Sequence, residues 1–127
     1  MKITRNDVMG LYRAIDVESK SQESLKFEFT YALNKNKHRL KPIAEETQDQ
    51  ISLFQKHGKD IIIKYSPDEK EPAGNKEYDA EVEQLNEKFR AYMREEIDID
   101  PYKIKKEYFP KECKAFIVDA LFPFIEE

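Results

Sequence analysis

The densest basic stretch of the chain is Lys35, Lys37, His38, Arg39 and Lys41. Such a cluster is the chemistry of phosphate contacts, and it makes a small nucleic-acid-binding regulator or accessory one reading of the chain. On a helix, however, successive residues point about 100° apart, so these side chains wrap around the cylinder rather than forming a patch. Glu45, Glu46 and Asp49 follow one to two turns on and can pair with some of them, and no aromatic stacking platform is interleaved in the sequence. The acidic run Glu96, Asp98, Asp100 alternates, and a strand would set its three carboxylates on one face, as hard-oxygen ligands for a divalent cation. With Lys103 and Lys105 beyond it, the run has the acidic-then-lysine order of some metal-dependent nucleases, but the spacing departs from theirs and Pro101 interrupts it. The alternative is a charged outer face that discourages edge-to-edge pairing. His38 and His57 have no second His or Cys at zinc-ligand spacing, and Cys113 stands in no reactive motif. Neither a phosphate-cradling glycine loop, nor a dinucleotide fingerprint, nor a Gly-x-Ser-x-Gly elbow is present. The expectation is a protein that is not an enzyme, with no cofactor and no metal.

Phe27, Phe29 and Tyr31 carry a different signal. On one helix, residues two apart lie about 200° around the axis, so the three rings cannot all face inward. Either the segment has an apolar second face or it is not fully helical. A second face would be a partner-binding surface, because Phe and Tyr are favoured at interface centres; the alternative is burial beneath the terminal helices.

The composition bounds the rest. The chain has 127 residues, enough for one domain, and charged residues make up 38% against 39% hydrophobic, with 3 Gly. That mix favours helices with solvated outer faces. A net charge of −4 gives the whole molecule no bias toward nucleic acid or an anionic membrane. The single cysteine rules out an internal disulfide and suits a reducing cytosol, no apolar run is long enough to span a membrane, and the charged N-terminal stretch lacks the apolar core of a secretory signal.

Periodicity supplies the elements. Thr4 offers an N-cap with Asp7 three residues on, and Val8, Leu11, Tyr12 and Ile15 predict a first helix over about Arg5–Asp16, followed by a polar connection at Ser19–Ser24. From Ser21 to Tyr65 apolar residues recur in steps of three and four, which predicts a helix about 60 Å long, kinked or divided at Pro42. Ser66–Lys76 is loop, and Tyr78, Val82, Leu85, Phe89 and Tyr92 predict a helix over about Glu77–Glu95 that folds back on the long one. That helix is too short to cover its partner, so the remainder must pack on the terminal elements or on another chain. Alternation at Ile97, Ile99, Tyr102 and Ile104 predicts strand, pairing with Met1–Thr4, and Pro110 opens a buried C-terminal helix through Phe122. The fold expected is mainly α: residues 1–127 form a single helical-hairpin domain, coiled-coil-like, with short terminal helices and a small two-stranded β element.

Three segments, Ile3-Thr4-Arg5 with Leu11–Ile15, Phe29–Lys37 with Leu40-Lys41-Pro42, and Glu96–Asp100 with Tyr102–Lys105, together with the ending Leu121–Glu127, resemble a group of small proteins of unknown function encoded by tailed bacteriophages and prophages. The resemblance implies a phage setting, in host cytoplasm or virion, and a helical-hairpin fold; it brings no active site. The reading that results is a non-catalytic interaction, structural or assembly protein. It would act through helical surfaces on a protein partner, either itself as a homo-oligomer or another phage or host protein, with no membrane. The alternative is nucleic-acid binding through Lys35, Lys37, Arg39 and Lys41.

Overall fold

The structure is a computed structural model that describes residues 1–21, 27–66, 74–109 and 120–126. A short strand β1 (Lys2–Thr4) runs straight into α1 (Arg5–Ser21). Thr4 and Asp7 cap the junction reciprocally: the Asp7 N–H donates to Thr4 Oγ1 at 3.1 Å, and the Thr4 N–H donates to Asp7 Oδ2 at 3.2 Å. The helix runs five residues beyond the expected Asp16, ending at Ser21 instead of giving way to a connection at Ser19. Its polar end is helix because the side chains bond back along it. The Ser19 hydroxyl donates to the Asp16 carbonyl at 2.9 Å, and Lys20 pairs with Asp16 at 3.1 Å. Of the serines in the expected connection, Ser19 and Ser21 lie in α1, and Ser24 lies outside the described residues.

The long helix α2 (Phe27–Tyr65) is continuous through Pro42. It is not divided into two helices there. Both Pro42 and His38, whose carbonyl loses its partner, are exposed, so water can satisfy the freed group while the buried stripe Phe29, Leu33, Leu40, Ala44 passes on the other side. α3 (Lys76–Met93) begins at the N-cap Asn75, whose Oδ1 accepts from the Glu77 and Tyr78 amides at 3.0 and 3.1 Å. It lies along the far end of α2, Tyr78 meeting Tyr65 and Phe89 meeting Phe54, with ring centroids 6.0 and 5.3 Å apart. The near part of α2, which α3 leaves bare, is covered by α1 and by residues from the ends of the chain. Val8, Leu11, Ile15, Phe29, Leu33, Leu40, Ile99, Ile104, Leu121 and Phe124 form one apolar cluster, and Ile61, Tyr78 and Leu85 form a second. Among the described residues no helix is long and apolar enough to cross a membrane.

The β structure is more divided than the alternation suggests. β2 (Glu96–Asp98) pairs antiparallel with β1, Ile3 opposite Ile97, as expected. It stops at Asp98, and the chain resumes as β3 (Ile104–Lys105), which pairs instead with β4 (Ile125–Glu126), parallel, Ile104 opposite Ile125. Pro101 lies between the pieces, where its missing N–H is not needed by a ladder. Ile99 and Ile104 are buried as the alternation requires. Most of the expected C-terminal helix lies outside the described residues.

Polar side chains lock these pieces to the helices. Asn36, 1% exposed, sits in the apolar stripe of α2 and pairs with the backbone of Tyr102 in both directions: Nδ2 donates to the carbonyl at 3.0 Å and Oδ1 accepts the N–H at 2.7 Å. Arg5 is buried where α1, α2 and the end of α3 converge. Its guanidinium donates to Thr47 Oγ1 at 3.2 Å, reaches Glu95 and Glu46 at 3.4 and 3.5 Å, and lies 4.6 Å from the ring centroid of Tyr92.

Asn36→Leu keeps the branching at Cγ but leaves the amide and carbonyl of Tyr102 without their partner. The expected loss is about 1–3 kcal/mol in urea unfolding, with helicity at low denaturant unchanged. Gly58 is the opposite case. A Cβ there meets Leu85 Cδ2 at 3.7 Å, an ordinary contact, so Gly58→Ala is expected to stabilise by about 0.5–1 kcal/mol in the same assay.

Candidate interaction surface

The same rotation that forbids three inward rings sorts Phe27, Phe29 and Tyr31. Phe29 is fully buried, its ring 5.0 Å from that of Phe109 in an edge contact. It is a core residue and is removed from the expected partner-binding set. Phe27 and Tyr31 point the other way, 76% and 44% exposed, their rings 5.9 Å apart and tilted by 30°. The segment is therefore helical and has a second face. Tyr102, held by Asn36, brings a third ring to it, 5.7 Å from Tyr31 and nearly perpendicular. With Tyr108 these rings wall a groove of about 390 Å³ that Lys105 and Glu126 also line. Across Phe27 and Tyr31 lies a second hollow of about 340 Å³ toward Lys35 and His38.

The basic residues are dispersed, Lys35 and Arg39 toward Tyr102, Lys37 toward Asp16 and Lys41 toward Glu45. Lys35 follows Tyr31 by one turn, and its Nζ lies 5.5 Å from the Tyr31 centroid and 5.0 Å from that of Tyr102. Arg39, one turn further, donates to the Asp100 carbonyl at 2.6 Å and lies 6.0 Å from the Tyr102 ring. Aromatic rings thus do interleave with these two cations, contrary to what the sequence suggests, because Tyr102 arrives from a distant segment. Lys37 faces α1 and pairs with Asp16 at 2.7 Å, and Lys41 pairs with Glu45 at 3.9 Å. The four do not form one phosphate-facing patch. Phe27, Tyr31, Lys35 and Arg39 instead make a stripe at four-residue steps, a signal present in the sequence once Phe29 is set aside.

The acidic run is likewise drawn apart. Asp98 accepts from the Met1 amino group at 3.0 Å, while the Asp100 carboxylate lies 3.8 Å from Arg39. Among the described residues no three of His, Cys, Asp and Glu gather to hold a metal ion. His57 is exposed on α2, and Cys113 lies outside the described residues.

The Lys37 and Lys20 hydrogen bonds hold the Asp16 carboxyl below its ordinary value, and the Asp16 bond raises Lys37 above its own. At the far end of α2, Lys64 and the Tyr65 hydroxyl similarly lower Glu81. No family model, curated protein or solved structure matches the chain.

The Asp16 shift fixes a sign. A carboxylate depressed in the folded state contributes stability above its ordinary value of 3.8, and that contribution is lost as pH falls through the lower folded value. Lys37 contributes below its ordinary 10.5 and loses that contribution as pH rises through its raised value. Asp16→Asn is expected to flatten both limbs of the stability–pH curve and to leave its slope between them unchanged, as read by thermal unfolding.

Proposed function

We propose that this chain is a non-catalytic interaction protein, structural or assembly in role, that binds a protein partner through the outer face of α2. The observation that carries the reading is the Phe27–Tyr31 pair, two large rings held outward above a groove by a helix whose opposite face is fixed in the core. Burying such rings against a partner is favourable by about 25 cal/mol per Å² of apolar area, and aromatic side chains dominate interface hot spots. In this reading α3 folds back on α2 as the second arm of a helical hairpin, and the partner is a second copy or another protein. The resemblance noted in the sequence makes the setting that of a bacteriophage, in host cytoplasm or virion. Nucleic-acid binding keeps Lys35 but loses Lys37, Arg39 and Lys41 to Asp16, Asp100 and Glu45, so it is the weaker reading.

The test compares the wild type with a Phe27→Ser/Tyr31→Ser double variant by light scattering coupled to size exclusion and by affinity capture from phage-infected cells. The expected result is a mass above the monomer, or a captured protein, that the variant loses while keeping its helicity. A monomeric wild type that captures nothing the variant does not also capture would sink the proposal.

A further inference from the structure

Resting on that reading, we infer that the groove beside Phe27 takes a peptide segment of a partner protein carrying an aromatic or long aliphatic anchor with a carboxylate next to it. The anchor half follows from shape. Phe27, Tyr31, Tyr102 and Tyr108 wall a space of about 390 Å³, within the range that holds a small ligand or a large side chain, and the Asn36 clamp fixes one wall in place.

The carboxylate half follows from charge. Lys35 is held over two tyrosine rings and within 3.4 Å of the Tyr31 hydroxyl, and Lys105 lies at the groove itself. Among the described residues no carboxylate pairs with either, whereas Lys37, Lys41 and Arg39 each have one. Two cations with no carboxylate in ion-pair reach among the described residues, beside a groove walled by aromatic rings, are complementary to an anion next to an apolar group. The anion is a carboxylate on a peptide rather than a run of phosphates, for two reasons. Glu28 and Glu126 also line the groove and would repel a polyanion passing through it, while a single acidic residue can sit on the lysine side. Lys35 already lies close to both Tyr31 and Tyr102, so those rings are only partly open to stacking by bases.

The experiment pans a displayed library of random peptides on the intact protein and measures the selected peptides by fluorescence anisotropy. The expected consensus is an apolar anchor flanked by Asp or Glu. Its binding should be lost in Phe27→Ser, weakened about tenfold or more in Lys35→Glu, and unchanged in Lys56→Glu, a charge reversal at an exposed site on the far part of α2. A consensus without carboxylates, enrichment equal on Phe27→Ser, or indifference to Lys35→Glu would overturn the inference. So would labelled oligothymidylate that binds with a steep salt dependence and competes for the groove. If no peptide is selected but Phe27 and Tyr31 still mediate self-association or capture, this inference fails and the broader function stands. If that association is absent as well, both fail.

Discussion

The buried pairing of Asn36 with the backbone of Tyr102 is the constraint from which much of the rest follows. The segment after β2 has to lie against α2 to bury Ile99 and Ile104, yet it has too little strand to satisfy its own amides and carbonyls. A backbone donor and acceptor taken out of water without partners would oppose that docking. One carboxamide answers both, because it donates and accepts in the same plane. The solution requires a polar residue in the middle of an apolar stripe. Once it is in place, β3 is aligned to receive β4, and Tyr102 is set down beside Tyr31 and Lys35. Arg5 solves a related problem on the other side of the molecule, where Thr47, Glu95 and the face of Tyr92 offset the burial of a guanidinium that would otherwise oppose folding.

The helices were legible because their causes are local. The Thr4–Asp7 cap, the stripe of α2 and the spacing of Tyr78, Val82, Leu85 and Phe89 are written within a few residues of where they act. The end of the first helix is not legible in Ser19 and Lys20, because a polar connection and a solvated helix face have the same composition. Of the two outcomes expected at Pro42, a kink or a division, the division does not occur: a proline breaks a helix most where the freed carbonyl is buried, and here Pro42 and His38 are both exposed. The pairing of Ile104 with Ile125 left no trace, since strands this short carry no period and their partners are remote in sequence.

The candidate surface was half legible. That Phe27, Phe29 and Tyr31 could not share one face is pure helix geometry, and the structure resolves which ring turns inward. The fate of the lysines was hidden for a different reason. Lys35 and Lys37 look equivalent in the sequence, but one faces a loop that brings a tyrosine and the other faces α1, which brings Asp16. Neither neighbour is encoded within reach of the cluster. A basic run on a long helix is thus sorted by whatever packs on each side of it, and its charge density along the chain says little about its charge density in space.

α2 belongs to two apolar clusters, one toward each end. A single helix therefore connects two clusters of different size, and among the described residues the smaller one, around Ile61, Tyr78 and Leu85, draws on α2 and α3 alone. Local opening is governed by the contacts broken, so that end can fray and re-form on its own while the larger core keeps its protection from solvent exchange. Arg5, bonded to Glu95 and packed on Tyr92, ties the start of α1 to the end of α3. The aromatic stripe with Phe27 lies at the end of α2 that packs in the larger cluster.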